Sequence, residues 1–302
     1  MRQSWKNNPI IYPVASGKGG TGKSTIVSNI GASLAGKGYN VILVDCDFGG
    51  SDLHLFLDVP IKVPNLGHFV NGEITTFCDL PRPTSVKGLK IICGGNENIG
   101  MANISEISRN EIKNYLYELE ADYVLIDLGA GTGKNTLDYF SFVKTGIVVC
   151  TPEPQSRVCT YSLLKNSVFK SFVEICLPDK NVTQILQNFI KGPGRRNGKV
   201  CDLIDNIRVK NSSISYEIIE YLKSFRPGII ANRVRKRSQI DDVNRFVKVV
   251  REFLSIELTN FGFIRSDRTV LEACQTGSLF VLDNEEAPAS MDLRRIMDLR
   301  IK

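Results

Sequence analysis

Short apolar runs recur along this chain, separated by longer stretches in which apolar positions fall at helical spacing. Ile10 to Ala15 is the first run. Asn40 to Asp45, Leu89 to Cys93, Asp122 to Asp127, Gly146 to Cys150, Pro227 to Ala231 and Leu258 to Ile264 follow it. Runs of this kind, bounded by glycine and polar residues, predict strands. Asn-Val-Ile-Leu-Val-Asp, apolar at consecutive positions, predicts a strand buried on both faces as in a parallel sheet. Pro13 is an anomaly in the first run, because proline cannot donate to a ladder. Its place just before a glycine loop offers a position that needs no donor. Helices are expected at Thr25 to Lys37, Ile104 to Leu119, Gln155 to Cys176, Ser238 to Leu254 and Ser290 to Arg300. In the second of these Ile107, Ile112, Leu116 and Leu119 carry the spacing. In the fourth, Ile240, Val243, Phe246, Val247, Val250 and Phe253 share one face. Pro60 to Phe77 reads as a loop with a short helix. Asp179 to Phe225 holds two or three helical patterns and a glycine-rich basic loop, Gly192 to Lys199.

Between the first strand and the first helix stands Gly17-Lys18-Gly19-Gly20-Thr21-Gly22-Lys23-Ser24-Thr25. Strand, glycine loop and helix form the context in which G-x-x-x-x-G-K-[ST] means a phosphate-binding loop. Its backbone N–H groups turn inward around phosphate oxygens, and the helix directs its positive end at the same charge. Lys23 is placed for the β- and γ-phosphates, and the Ser24 hydroxyl for Mg²⁺. Lys18 is a second lysine that such a loop does not need. It is either a solvated loop lysine or a cation that crosses a dimer interface to the partner's nucleotide, like an arginine finger.

Carboxylates follow two of the strands. Asp45-Cys46-Asp47 ends the second, where ligands of a parallel sheet bind. Asp47 could orient or deprotonate an attacking water; a loop or N-cap carboxylate is the alternative, favoured for Asp45 and Asp52. Asp122 to Asp127 is an apolar strand ending in Asp, a Walker B pattern in which Asp127 holds Mg²⁺ through water. Gly129 and Gly131 would let backbone amides approach a γ-phosphate.

Composition narrows the classes. At 302 residues the chain is one large α/β domain or two small ones. A formal charge of +6 permits contact with DNA or an anionic membrane and requires neither. Eight cysteines show no C-x-x-C pair and read as reduced, buried thiols of a cytoplasmic protein. His54 and His68 read as structural. No run approaches the roughly 18 apolar residues of a membrane span.

Gly-Lys-Gly-Gly-Thr-Gly-Lys-Ser resembles the deviant Walker A motif of the MinD/ParA family of dimerising ATPases. Asp45-Cys46-Asp47 is similar to that family's switch I, Ile126-Asp127-Leu128-Gly129-Ala130-Gly131 to its switch II, and Thr151-Pro152-Glu153-Pro154 to its T-x-E-P segment. The resemblance implies that Asp47 is the catalytic aspartate and that Asn232 and Arg233 contact adenine. In the turn Arg265 to Val270, Arg265 stands where the family has proline. No cysteine lies between Cys93 and Cys150, which argues against a nitrogenase-like iron protein, and a metal-cluster carrier is weakened by the missing C-x-x-C. The implied fold is one three-layer α/β P-loop NTPase domain over 1–302. It has a mostly parallel twisted sheet of seven or eight strands, helices on both faces and 179–225 as a helical insertion. The implied activity is Mg²⁺-dependent ATP hydrolysis. Gly17, Gly19, Gly20, Thr21, Gly22, Lys23, Ser24, Thr25, Gly131, Asn232 and Arg233 would bind nucleotide. Ser24, Asp47 and Asp127 would hold the metal, and Lys18, Lys23 and Asp47 would act on the phosphates. ATP would drive homodimerisation and recruitment of a protein partner, in the cytoplasm or at the inner membrane face. A ParA-like protein that coats DNA, supported by the basic run Arg233 to Arg237, is the alternative; a P-loop kinase or ligase would leave Lys18 unexplained. The C-terminal helix reads as a core helix in preference to a membrane-targeting one.

Overall fold

The computed structural model describes residues 8–48, 50–60, 63–95, 104–192 and 198–301. Its strands are β1 (Ile10–Ala15), β2 (Val41–Cys46), β3 (Arg82–Pro83), β4 (Leu89–Ile92), β5 (Tyr123–Leu128), β6 (Ile147–Cys150), β7 (Gly228–Val234) and β8 (Thr259–Arg265). The first helices are α1 (Lys23–Gly36), α2 (Leu66–Val70), α3 (Glu106–Leu116), α4 (Lys134–Ser141), α5 (Pro154–Cys176) and α6 (Lys180–Lys191). They are followed by α7 (Val200–Lys210), α8 (Ser212–Ser224), α9 (Arg237–Leu254), α10 (Arg268–Thr276), α11 (Phe280–Asp283) and α12 (Pro288–Arg300).

The strands form one eight-stranded sheet in the order β3-β4-β2-β5-β1-β6-β7-β8. Every neighbouring pair is parallel except the short β3 against β4. Apolar runs without alternation are what this arrangement requires, because both faces are covered. On β5, Val124, Ile126 and Leu128 face one core with α3 to α9, while Tyr123 and Leu125 face a second core with α1, α10, α11 and α12. The sheet and its two helical layers match the expected three-layer architecture.

Pro13 sits in a central strand at no cost. The Ile10 N–H donates to the Asp122 carbonyl at 3.0 Å, so Ile10, Tyr12 and Val14 turn their backbone groups toward β5. Pro13 therefore faces β6, and pairing with β6 begins only at Val14. In α3 the inward stripe is Arg109, Ile112 and Leu116, which leaves Ile107 73% exposed; the expected membership of Ile107 in that stripe is incorrect. Among the described residues, 179–225 contains three helices: α6 and α8 pack on α5, and α7 packs on α6 and α8. Most of the basic loop between α6 and α7, residues 193–197, lies outside the described residues, as does Asn96 after β4. Helix α12 buries Leu293, Ile296 and Met297 against the sheet, the position expected of a core helix. Among the described residues no helix is long and apolar enough to cross a membrane. All eight cysteines are free. Contrary to expectation Cys78, Cys201 and Cys274 are exposed, since each stands on a solvent-facing turn or helix face.

Candidate functional site

Every chemically marked segment emerges at the C-terminal rim of the sheet. The glycine loop leaves β1 and enters α1, whose N-cap is Gly22 with no side-chain cap, so the first amides of the helix are left for an anion. Two glycines are dictated by their neighbours. A Cβ at Gly17 would collide with the α5 backbone at Cys159 and Thr160. At Gly22 φ is 86°, and a Cβ would strike the Asn232 amide. The loop is thus seated between α5 and β7.

Asn232 is buried. Its Nδ2 donates to the Thr21 carbonyl at 2.8 Å, and its Oδ1 accepts the Arg233 N–H at 2.9 Å. The amide expected to meet adenine bonds the loop in this structure, with one Nδ2 hydrogen donated to Thr21. Arg233, held at φ 60°, turns into the cleft beside it.

Asp45 and Asp127 are register neighbours on β2 and β5, both buried. Burial first, and then the charge of Asp127, push the Asp45 carboxyl up to about 7. It accepts the Ser51 hydroxyl and the amides of Asp47 at 3.1 Å and Leu53 at 3.3 Å, so it pins the loop after β2. Burial also raises Asp127, against the opposing pull of Lys23 and the Ser24 hydroxyl. The Lys23 ammonium is bonded to Asp127 and stands 3.8 Å from Asp47. Lys23, Ser24, Asp47 and Asp127 therefore converge as the sequence predicted. Gly129 lies against Asp47, and the Gly131 N–H donates to the Ser16 carbonyl at 2.8 Å, so that amide is engaged within the chain.

A cleft of about 440 Å³ opens over the loop, with Gly19 to Thr25, Asp47 and Arg233 among its walls. Thr21 Oγ1 is buried with no hydrogen-bond partner among the described residues. Leu55, Phe56, Cys274 and Gly277 also line the cleft. Their residue types carried no chemical signal in the sequence; only the fold brings α10 beside the loop, with Cys274 Sγ 3.4 Å from Thr25 Oγ1. Lys18 is not among the cleft residues. It is exposed at the rim, where its Nζ donates to Gln155 Oε1 at 2.8 Å. Nearby Glu153 is held below the usual carboxylate range, chiefly by the Thr151 hydroxyl and further by Arg233 and Lys18. Arg265 is committed elsewhere: its guanidinium grips Asp292 of α12 at 2.8 and 2.9 Å. Among the described residues no group of three or more His, Cys, Asp or Glu could hold a metal unaided. Ser24, Asp47 and Asp127 offer a hard-oxygen set of the kind that Mg²⁺ shares with phosphates and water.

A glycine loop between the first strand and helix of a parallel sheet, with an aspartate-ending strand beside it, defines a three-layer P-loop nucleotide-binding protein. The chain belongs to the CobQ/CobB/MinD/ParA nucleotide binding domain family, whose profile matches residues 12–280. It is 30% identical over 174 residues to the Helicobacter pylori flagellum site-determining protein YlxH, covering 53% of this chain and 54% of that one. To the Thermotoga maritima septum site-determining protein MinD it is 32% identical over 146 residues, 47% of this chain and 52% of the other. The chain spans about half the length of the curated relatives it matches. In structure it is similar to the Pyrococcus horikoshii septum site-determining protein MinD complexed with Mg-ADP. The TM-score is 0.66 at 18% identity, over 97% of this chain and 96% of that one.

Proposed function

We propose that this chain is a Mg²⁺-dependent ATPase that dimerises on binding ATP and uses the dimer to recruit a partner to a particular place in the cell. The observation that carries the reading is the division of labour between two lysines. Lys23 lies inside the cleft among Asp47 and Asp127, and Lys18 stands outside it on the rim. Relatives named as flagellum and septum site-determining proteins, and a similar structure holding Mg-ADP, support the choice of nucleotide, metal and role.

Each residue then has a task. Lys23 exchanges its carboxylate partners for phosphate oxygens. Ser24 and the freed Asp127 would hold Mg²⁺, which would supply neutralisation of phosphate charge. Asp47 orients the attacking water and accepts its proton. Lys18 leaves Gln155 and reaches the phosphates of the facing subunit, in the manner of a cation supplied in trans. Light scattering and phosphate release test this together. Lys18→Ala is expected to bind a fluorescent ATP analogue but to stay monomeric and lose turnover by about 10³-fold or more; normal dimerisation and turnover in that variant would remove the reading. Asp47→Ala is expected to form a dimer that persists in Mg·ATP while hydrolysis slows, and a monomer under those conditions would take Asp47 out of its assigned role.

A further inference from the structure

Two of the segments that face the cleft, those after β2 and β5, touch one short helix. Thr136, buried in the first turn of α4, donates to the Gly129 carbonyl at 3.0 Å. Gly129 stands beside Asp47: a Cβ there would be 3.2 Å from Asp47 Oδ1. One turn further on, Tyr139 carries the Phe48 ring at a centroid distance of 6.4 Å. The segment after β2, pinned by Asp45, and the segment after β5 thus both also touch the same eight residues. A helix of that length is marginal on its own, since isolated helices below roughly 12–15 residues scarcely form in water. No side chain caps its N-terminus.

Besides its buried Tyr139 and Phe140, α4 is held by a buried ionic cluster. Arg109 of α3, 2% exposed, brings Nε to 2.5 Å from Asp138 Oδ2. Its Nη1 donates to Asn135 Oδ1 at 3.3 Å and to the Ile104 carbonyl at 2.5 Å. From α5, Lys170 places Nζ 3.0 Å from Asp138 Oδ1 and 2.6 Å from Glu174. Asp138 is therefore gripped from two helices at once. Such a triad is a poor source of stability, because desolvation offsets the attraction and apolar side chains of similar volume do as well or better. Arg109 Nε and Nη2 and Tyr139 Oη even lack a hydrogen-bond partner among the described residues, so the contact with Asp138 is an ion pair and not an aligned hydrogen bond. What the guanidinium supplies is a link between elements: Nη1 bonds Ile104 and Asn135 while Nε faces Asp138, which ties α4 to the start of α3 at polar points that apolar contacts do not define.

We propose that Arg109, Asp138 and Lys170 are positioning residues for hydrolysis, fixing α4 and through Thr136 and Tyr139 the surroundings of Asp47. The inference rests on the ATPase reading above, and its test separates the two. The double variant Arg109→Met with Asp138→Leu removes the buried pair without leaving either charge alone. It is expected to melt near the wild-type temperature, whereas Asp138→Leu by itself melts low because Arg109 loses its counter-charge. Affinity for a fluorescent ATP analogue with Mg²⁺ stays within about twofold, while kcat falls on the order of tenfold to a hundredfold. Amide hydrogen exchange at residues 129–136, measured with AMPPNP and Mg²⁺ bound, quickens. A folded double variant with full kcat and unchanged exchange would show the triad to be structural only and overturn the proposal. Should that variant fail to fold, Arg109→Lys keeps the charge without the Nη1 bonds to Ile104 and Asn135, and full kcat with unchanged exchange there overturns it equally. A wild-type protein that binds the analogue but does not hydrolyse ATP removes the ATPase reading, and the exchange arm still decides the triad.

Discussion

Two carboxylates side by side at the end of adjacent strands cannot both keep ordinary acidity. Asp45 and Asp127 share a register, neither reaches solvent, and only Asp127 has the Lys23 ammonium bonded to it. Burial and its neighbour hold Asp45 up to about 7, against an unfolded value near ~4. A raised carboxyl favours folding most below the unfolded value, and that contribution is lost as pH rises through the folded one. Nucleotide-free protein should therefore lose stability between about pH 4 and pH 7 from this group. Asp45→Asn, neutral throughout, should melt with a flatter pH profile, its advantage over wild type growing toward pH 8. Melting curves that stay parallel across that range would mean that the carboxyl is not held up. At this scale the sequence disclosed residue types and little of their partners. Lys23, Ser24, Asp47 and Asp127 were legible because a phosphate-binding loop and an aspartate-ending strand fix both type and place. Asn232 was legible as a site residue, but its bond to the Thr21 carbonyl was not, since that partner is a backbone atom 211 positions away.

Elements were legible where periodicity and burial agree. Helix α9 buries Val243, Phe246 and Val250 from the predicted face. Helix α3 departed from its pattern because a charged residue, Arg109, occupies the inward stripe and no hydropathy rule anticipates that. The C-terminal helix α12 shows the opposite case, in which an apolar face with arginines nearby suits a lipid surface as well as a core. Packing decides it: Ile296 is buried, and a Cβ on Gly262 of β8 would come within 3.0 Å of it. Ile296→Ala should cost about 2–5 kcal/mol in urea unfolding and leave nucleotide affinity unchanged below the transition. Stability unaltered by that substitution would mean the helix is not part of the core.

Across the whole molecule, the strands were readable because a sheet covered on both faces demands continuous apolar runs. Their order was not readable, since β1 lies between β5 and β6 and no local signal states which run neighbours which. Strand β3 escaped notice as well, being two residues long with Pro83 at its end. The helices of 179–225 were visible as patterns, while their seat on α5 is a matter of tertiary packing. That seat has a mechanical consequence. Helix α5 has 23 residues and so runs about 34 Å. Near its start it abuts Gly17 of the phosphate loop, and along its length it is clasped by α6 and α8. Packed helices slide and tilt as rigid bodies instead of bending. One continuous helix thus touches both the phosphate loop and the helices of 179–225, so a load on those helices would be expected at the loop as a change in the surroundings of Gly17.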